Sequence, residues 1–89
     1  MAVKQEDKST NNFFKNVYYL ADDTGIGITK IEIGAHVSSG YCATMIRRNS
    51  SPTIRVASSI AKFLGYSIDQ LTMEPIEFYK EVKKKRNVH

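Results

Sequence analysis

The stretch HVSSGYCATMIRR, residues 36–48, begins as a turn and ends as a cationic helix. Ser38 supplies a side-chain oxygen that can accept a hydrogen bond from a free backbone amide, which places the start of the helix there. Met45, together with Tyr41 or Cys42, belongs to the face that packs against a core. The other face is small and polar. The spacing therefore predicts a short helix with little side-chain bulk on its outer surface.

Helical patterns continue on both sides of this stretch. Apolar residues at steps of three and four predict a first helix, capped by Asn11 or Asn12 and ending near Thr24. A second helix is predicted over residues 28–35, and a fourth from Pro52 or Thr53 to Gly65. A fifth begins with a capping box of Ser67 and Gln70, and a sixth begins at Pro75. No segment shows the alternation of a strand. The sequence therefore predicts an all-α fold, a compact domain of five to six helices.

Length and composition indicate one small domain. With 89 residues the chain has room for a single core. No apolar run approaches the roughly 18 residues needed to cross a bilayer, and the polar start does not resemble a signal peptide. The single cysteine, Cys42, cannot form an internal disulfide, which fits a reducing compartment. We therefore expect a soluble, cytoplasmic protein without membrane contact, in which residues 1–11 form a flexible arm.

The charges are distributed unevenly along the chain. The formal net charge is +4, and all nine carboxylates lie at or before Glu32 or at or after Asp69. The segment between them contains only cationic charges, on Arg47, Arg48, Arg55 and Lys62. A surface of one sign is expected of a polyanion binder, because each Lys or Arg near a phosphate releases condensed counterions.

Residues 28–48 have the layout of a helix-turn-helix, in which the second helix enters the major groove of DNA by its amino-terminal part. Small side chains are needed there because the groove is only about 12 Å wide. The exposed face of the third helix would present Ser39, Gly40, Ala43 and Thr44. Arg47 and Arg48 would reach bases or phosphates at the edge of the groove. Double-stranded DNA is therefore the predicted partner.

With these features the chain resembles the lambda-repressor or Cro-like helix-turn-helix domain, the XRE group of bacterial and phage regulators. The resemblance extends over about residues 13–71. It lies in the intervals between the turn Val37-Ser38, the loop residue Pro52 and the closing Gly65. Agreement of several spacings is more specific than any single motif.

The resemblance implies a sequence-specific transcriptional regulator of the phage or mobile-element repressor type. Residues 12–72 would form the lambda-repressor-like DNA-binding domain, 73–89 a C-terminal helix and basic tail, and 38–47 the recognition helix. The positions that match base-reading sites are Ser39, Gly40, Ala43, Thr44 and Arg47. The positions nearest to those that bind the DNA backbone are Ser38, Arg48, Asn49, Ser51 and Thr53. Tyr41 either touches a phosphate through its hydroxyl or packs against the core.

The chain departs from the family pattern at three positions. His36 stands where Gly is usual in the turn, and a left-handed backbone there costs a non-Gly residue about 1 kcal/mol. Glu32 stands where a small Ala is usual, which is expected to disturb the packing of the second helix against the third. Ile28 replaces a Gln that often supports DNA contact, and Thr29 or Lys30 are the available substitutes.

Neither catalysis nor a cofactor is predicted. His36 and His89 have no carboxylate or serine arranged with them as a catalytic set. Gly25-Ile26-Gly27 lacks the third Gly, the preceding strand and the Lys of a phosphate loop. No Cys or His spacing matches a metal site.

A homodimer is the expected active form, because half-sites usually lie one DNA turn apart. The predicted helix with Ile76, Phe78, Tyr79 and Val82 is the candidate dimer surface or the contact for a protein partner, or it only covers the core. Two alternatives to specific DNA binding stay open. One is a protein-interaction module or antitoxin built on a helix-turn-helix domain, and the other is a nonspecific nucleic-acid binder that depends on the basic residues 83–86.

Overall fold

The computed structural model describes residues 8–87, with side chains from 12 to 85, and within this range the chain forms six α-helices and no strand. The helices are α1 (Lys8–Thr24), α2 (Ile28–Gly34), α3 (Tyr41–Arg48), α4 (Ile54–Leu64), α5 (Ile68–Leu71) and α6 (Pro75–Asn87). The predicted all-α fold is confirmed. The predicted capping box of α5 is also present, because Ser67 and Gln70 each accept a hydrogen bond from the backbone amide of the other.

The hydrophobic core of the described residues lies around α1, which contacts α2, α3, α5 and α6. α1 supplies the largest share because its apolar residues recur every three or four positions and so lie on one side of the helix. Every other helix also contributes buried side chains. The buried apolar residues are Phe13, Phe14, Val17, Leu20, Ala21, Ile31, Ala35, Cys42, Ala57, Ile60, Ala61, Leu71, Phe78 and Val82.

α1 begins at Lys8, earlier than the predicted cap at Asn11 or Asn12 and inside the stretch predicted as an arm. Asn12 is not a cap, since its side-chain amide donates hydrogen bonds to the Thr72 carbonyl oxygen at 3.3 Å and to a Glu74 carboxylate oxygen at 3.4 Å. The backbone carbonyls at the end of a helix lack partners within the helix, and this side chain supplies one. Residues 1–7 of the predicted arm lie outside the described residues.

A second asparagine of α1 strengthens the same connection. The Asn16 side-chain amide is fully buried and donates hydrogen bonds to the carbonyl oxygens of Leu71 and Met73, both at 2.9 Å. A buried N–H donor is costly unless it is hydrogen-bonded, and the Asn16 amide nitrogen has two carbonyl acceptors. Asn16 therefore fixes the link between α5 and α6 against the middle of α1.

α6 continues to Asn87 and so includes the basic residues that were expected to form a charged tail. Lys85 extends back to α4, where its ammonium group donates a hydrogen bond of 2.8 Å to the Gly65 carbonyl oxygen. The same ammonium lies 4.0 Å from the centre of the Tyr66 ring. A cation is favoured both at the carboxyl end of a helix and over an aromatic face. Residues 88–89 of the predicted tail lie outside the described residues.

His36 has a left-handed backbone conformation, with φ at 61°, so the cost given above for a non-Gly residue at this position applies. The turn is held by hydrogen bonds from the His36 amide to the Ile33 carbonyl at 3.1 Å and from the Val37 amide to the Glu32 carbonyl at 2.9 Å. These two hydrogen bonds hold His36 in a backbone conformation that costs a non-Gly residue about 1 kcal/mol.

Replacing His36 with glycine is expected to raise the free energy of unfolding, by about 1 kcal/mol or less. Glycine removes the strain at φ 61°, while its greater freedom in the unfolded chain offsets part of the gain. Urea unfolding of the purified variant measures the difference. His36→Ala is the matched control, because it removes the exposed imidazole but keeps the strain, and it should show no gain. A glycine variant less stable than the wild type would contradict the prediction.

Candidate nucleic-acid interface

α3 begins three residues later than the sequence indicated, at Tyr41 instead of Ser38. The predicted Ser38 cap is therefore wrong. Gly40 is the residue before the helix and has a left-handed backbone with φ at 83°. A right-handed helix cannot pass through a residue in that conformation, so Ser38 and Ser39 belong to the turn that precedes α3. Both serines are exposed there.

The amino end of α3 is held by Glu32, a residue of α2. Its side chain is buried, with only 2% of the residue exposed. One carboxylate oxygen accepts a hydrogen bond from the Gly40 amide and the other from the Cys42 amide, each at 3.0 Å. A carboxylate at a helix amino terminus satisfies free amides and interacts favourably with the helix dipole.

Glu32 thus has a role opposite to the one expected from the sequence. The larger side chain was expected to disturb the contact between α2 and α3, but its two hydrogen bonds fix that contact. A local capping pattern joins residues three apart, whereas Glu32 lies eight residues before Gly40. One signal in the sequence was an acidic residue that precedes a helix without an acidic residue of its own.

Cys42 forms the back of the site, directly behind the turn. It is fully buried, and its burial together with the negative charge of Glu32 raises the pKa of the thiol to about 12. The thiol therefore stays protonated at neutral pH. A protonated, enclosed thiol packs as a small apolar group and is a poor nucleophile.

The outward surface of this region carries the predicted base-reading residues, although not all of them lie on the helix. Ser39 and Gly40 are exposed in the turn, which corrects the expectation that they lie on the face of α3. Ala43 and Arg47 are exposed on α3 itself, and Thr44 is half-buried. The structure therefore brings these five residues to one turn and one short helix, and their contacts with DNA stay a prediction.

The carboxyl end of α3 exposes two adjacent arginines, Arg47 and Arg48. Asn49 ends the helix with a left-handed backbone, φ 52°, and its amide donates to the Ile46 carbonyl at 3.1 Å. The Ser50 amide donates to the Met45 carbonyl at 3.0 Å, which completes the closing turn. Asn is one of the few residues that enters this conformation readily, so Asn49 has a structural reason to be there.

The start of α4 lies after this turn and carries the remaining predicted backbone contacts. Thr53 is the N-cap, and its hydroxyl oxygen accepts a hydrogen bond of 3.1 Å from the Val56 amide. Ser51 and Thr53 are exposed. Tyr41 is half-buried against the core; burial raises the pKa of its phenol, and a hydrogen bond with the Thr53 backbone opposes that rise. The tyrosine therefore links the first residue of α3 to the start of α4.

The exposed charges on residues 33–68 are all positive. Arg47, Arg48 and Arg55 are exposed, and so is Lys62. Glu32, the nearest carboxylate before this segment, is buried and used in hydrogen bonds to the backbone. The region around α3 and the start of α4 therefore offers cations and hydroxyl groups to solvent, the combination that binds phosphate oxygens.

No family model, curated protein sequence or solved structure matches this chain. None of the helices within residues 8–87 has an apolar stretch of the length that a bilayer requires.

Proposed function

We propose that the chain is a sequence-specific DNA-binding protein that regulates transcription, with α2 and α3 as a helix-turn-helix of the lambda-repressor-like type. α3 lies in the major groove of double-stranded DNA, and the turn before it approaches the base edges. The observation that carries the proposal is the anchoring of this turn by buried Glu32, because it holds an outer surface without carboxylates in one orientation. The intervals shared with lambda-repressor-like domains in the sequence also support it.

Within the proposed complex the residues on α3 read bases. Ala43 is exposed and short enough for its methyl group to contact a thymine methyl, and Thr44 adds a hydroxyl beside it. Arg47 lies one turn further on and can bind a guanine through two hydrogen bonds. Ser39 and Gly40 approach the bases as parts of the turn, where the absence of a large side chain permits close contact.

Contacts to phosphate position the protein on the duplex. Arg48 and Asn49 extend from the end of α3, and Ser51 and Thr53 precede α4. Such contacts fix orientation and contribute most of the salt-dependent affinity, but they carry no sequence information themselves. Ser38, in the turn before α3, and Tyr41, the first residue of α3, are the proposed phosphate contacts at the other end of this helix.

Replacing Thr44 and Arg47 together with alanine is expected to remove sequence preference while the protein remains folded. Arg47 is exposed and Thr44 is half-buried, so the double substitution should reduce DNA recognition and not folding. A bidentate arginine–guanine pair alone contributes roughly 1–3 kcal/mol, equivalent to about a 5- to 150-fold loss of affinity for the selected sequence. Selection from a pool of random duplexes identifies that sequence, and titration of it against a scrambled duplex measures the preference.

Lys15→Ala is the matched control for charge. Lys15 is exposed on α1, outside the candidate interface, so its removal should weaken binding to both duplexes slightly and leave the preference intact. If selection enriches no motif, the proposal is wrong, and a protein that co-purifies with the chain would favour an interaction module or antitoxin. If removal of the basic residues 83–86 abolishes all binding, the nonspecific alternative is favoured. The Lys85 ammonium already contacts the Gly65 carbonyl and the Tyr66 ring, which favours sequence-specific binding through α3 over the nonspecific alternative.

A further inference from the structure

A groove lies between the carboxyl end of α2 and the outer side of α4. It contains two concavities of about 260 and 640 Å³. Ala35, His36 and Ser59 line both of them, so the two concavities adjoin. We call them together the α2–α4 groove. Of the proposed DNA contacts, Thr53 alone lines this groove.

The formal charges of the α2–α4 groove are positive. Arg55 lines the larger concavity and Lys62 the smaller one, and both residues are exposed. Since they are seven positions apart on one helix, they lie on the same side of α4, about 10 Å apart along its axis. None of the described residues that line the groove is acidic. The groove therefore presents two cations to solvent, spaced along its length.

Apolar surface lies beside Lys62 at one end of the groove. The Phe63 ring lies directly against Gly34, where even a methyl side chain would overlap it. Nevertheless, 43% of Phe63 is exposed, and so is 67% of Ile33, the residue before Gly34. Removal of apolar surface from water is favourable, so this end of the groove suits a partner with an apolar side chain.

We propose that the α2–α4 groove binds a short acidic segment of another protein. Two carboxylates of the segment pair with Arg55 and Lys62, and an apolar side chain next to the second carboxylate covers Phe63. An extended chain rises about 3.3 Å per residue, so about three residues span the distance between the two cations. The net charge of +4 disfavours a second copy of this chain in the groove and favours an acidic partner.

Duplex DNA fits the groove less well than a peptide does. Its phosphates can pair with both cations, but its sugar–phosphate backbone has no large apolar group to cover Phe63. The inference goes beyond the proposed function and does not depend on it, since Arg55 and Lys62 are not among the proposed DNA contacts.

A set of labelled peptides tests the inference. Each peptide has about eight residues and carries two glutamates, two to four positions apart, with a leucine beside the second. Both ion pairs are open to water and screened by salt, so we expect the best peptide to bind the full chain with a Kd of about 10–500 μM at low ionic strength. Fluorescence anisotropy measures the binding. Replacing both glutamates with glutamine, or the leucine with serine, should weaken it by about tenfold or more.

Lys62→Glu tests the pairing itself, and Lys15→Glu is the matched control. Both variants reverse one exposed lysine on a helix, but Lys15 lies outside the groove. We expect Lys62→Glu to weaken binding of the best peptide at least about tenfold and Lys15→Glu to weaken it less than about threefold. A peptide with lysine in place of the second glutamate should regain binding to Lys62→Glu alone. Circular dichroism confirms that each variant is folded.

Three results would overturn the inference. One is that no peptide of the set binds at concentrations up to about 1 mM. Another is an equal loss in Lys62→Glu and Lys15→Glu, which would show that only the net charge matters. The third is a scrambled duplex that displaces the peptide and whose own binding is weakened as strongly by Lys62→Glu, which would assign the groove to DNA. Peptide binding with the expected rescue supports the inference even if no duplex motif is selected.

Discussion

Replacing Glu32 with alanine is expected to lower the free energy of unfolding by about 2–4 kcal/mol. The change leaves the Gly40 and Cys42 amides without their acceptor. The buried, unpaired Cys42 amide costs about 1–3 kcal/mol, and the amide of exposed Gly40 adds less because water can replace the carboxylate there. Part of this loss is offset, because the alanine variant does not bear the free-energy cost of transferring a carboxylate charge from water to a buried site. Urea unfolding followed by circular dichroism measures the change.

Two further variants define the cause of that loss. Glu32→Gln keeps the shape and one good acceptor oxygen, but its amide group faces the second backbone donor, so we expect a smaller decrease than in the alanine variant. Glu77→Ala removes an exposed carboxylate whose contact with Lys80, at 3.6 Å, is weak, and it should change stability by less than about 0.5 kcal/mol. If Glu32→Ala unfolds at the wild-type urea concentration, Glu32 does not anchor α3.

The same variant bears on DNA recognition. Where Glu32→Ala is still folded, the turn with Ser39 and Gly40 is no longer held by α2, and the orientation of α3 becomes variable. The proposed complex should then lose discrimination between selected and scrambled duplexes, while the salt-dependent attraction of the arginines persists. A variant that is destabilised yet fully selective would show that the turn is fixed by other contacts.

Replacing Phe78 with alanine is expected to cost about 3–5 kcal/mol, close to the whole stability of many small domains. Phe78 is fully buried, and the centre of its ring lies 5.3 Å from that of Tyr66 and 6.3 Å from that of Tyr19. Its removal leaves a cavity between α1, the α4–α5 link and α6. Thermal unfolding of the full chain measures the loss of stability. We expect it to be large enough that a fraction of the molecules is unfolded at 37 °C.

Ile76→Ala is the control on the same helix. Ile76 is 68% exposed, so its truncation should change stability by no more than about 0.5 kcal/mol. If Phe78→Ala proves as mild as Ile76→Ala, α6 is an appendage that covers the core loosely. The predicted large difference follows from the position of Phe78 and Val82 within the same core as α1.

The regular helices could be predicted because their information is local. Apolar periodicity defined the buried side of α1, and Thr53, Gly65 and the Ser67–Gln70 pair marked helix ends by their own chemistry. The start of α3 could not be predicted in this way. The acceptor for its first amides comes from Glu32 on another helix. Ser38 has the side chain of a helix cap, but the left-handed backbone of Gly40 shows that the helix starts after it.

The candidate interface was predictable in composition but less so in geometry. The absence of carboxylates between residues 33 and 68 indicated a cationic surface, and the arginines of α3 are indeed exposed. The sequence did not show that Ser39 and Gly40 would lie in a turn.

The asparagine bridges of α1 affect the order in which the chain can fold during synthesis. The Asn16 amide binds carbonyl groups that lie 55 and 57 positions further along the chain. Until residues 71–73 have been made, the Asn16 amide has no carbonyl partner, and α1 lacks its contacts with α5 and α6. α1 therefore reaches its final packing only after residues 71–73 have been made, so its folding depends on contacts that are distant along the chain.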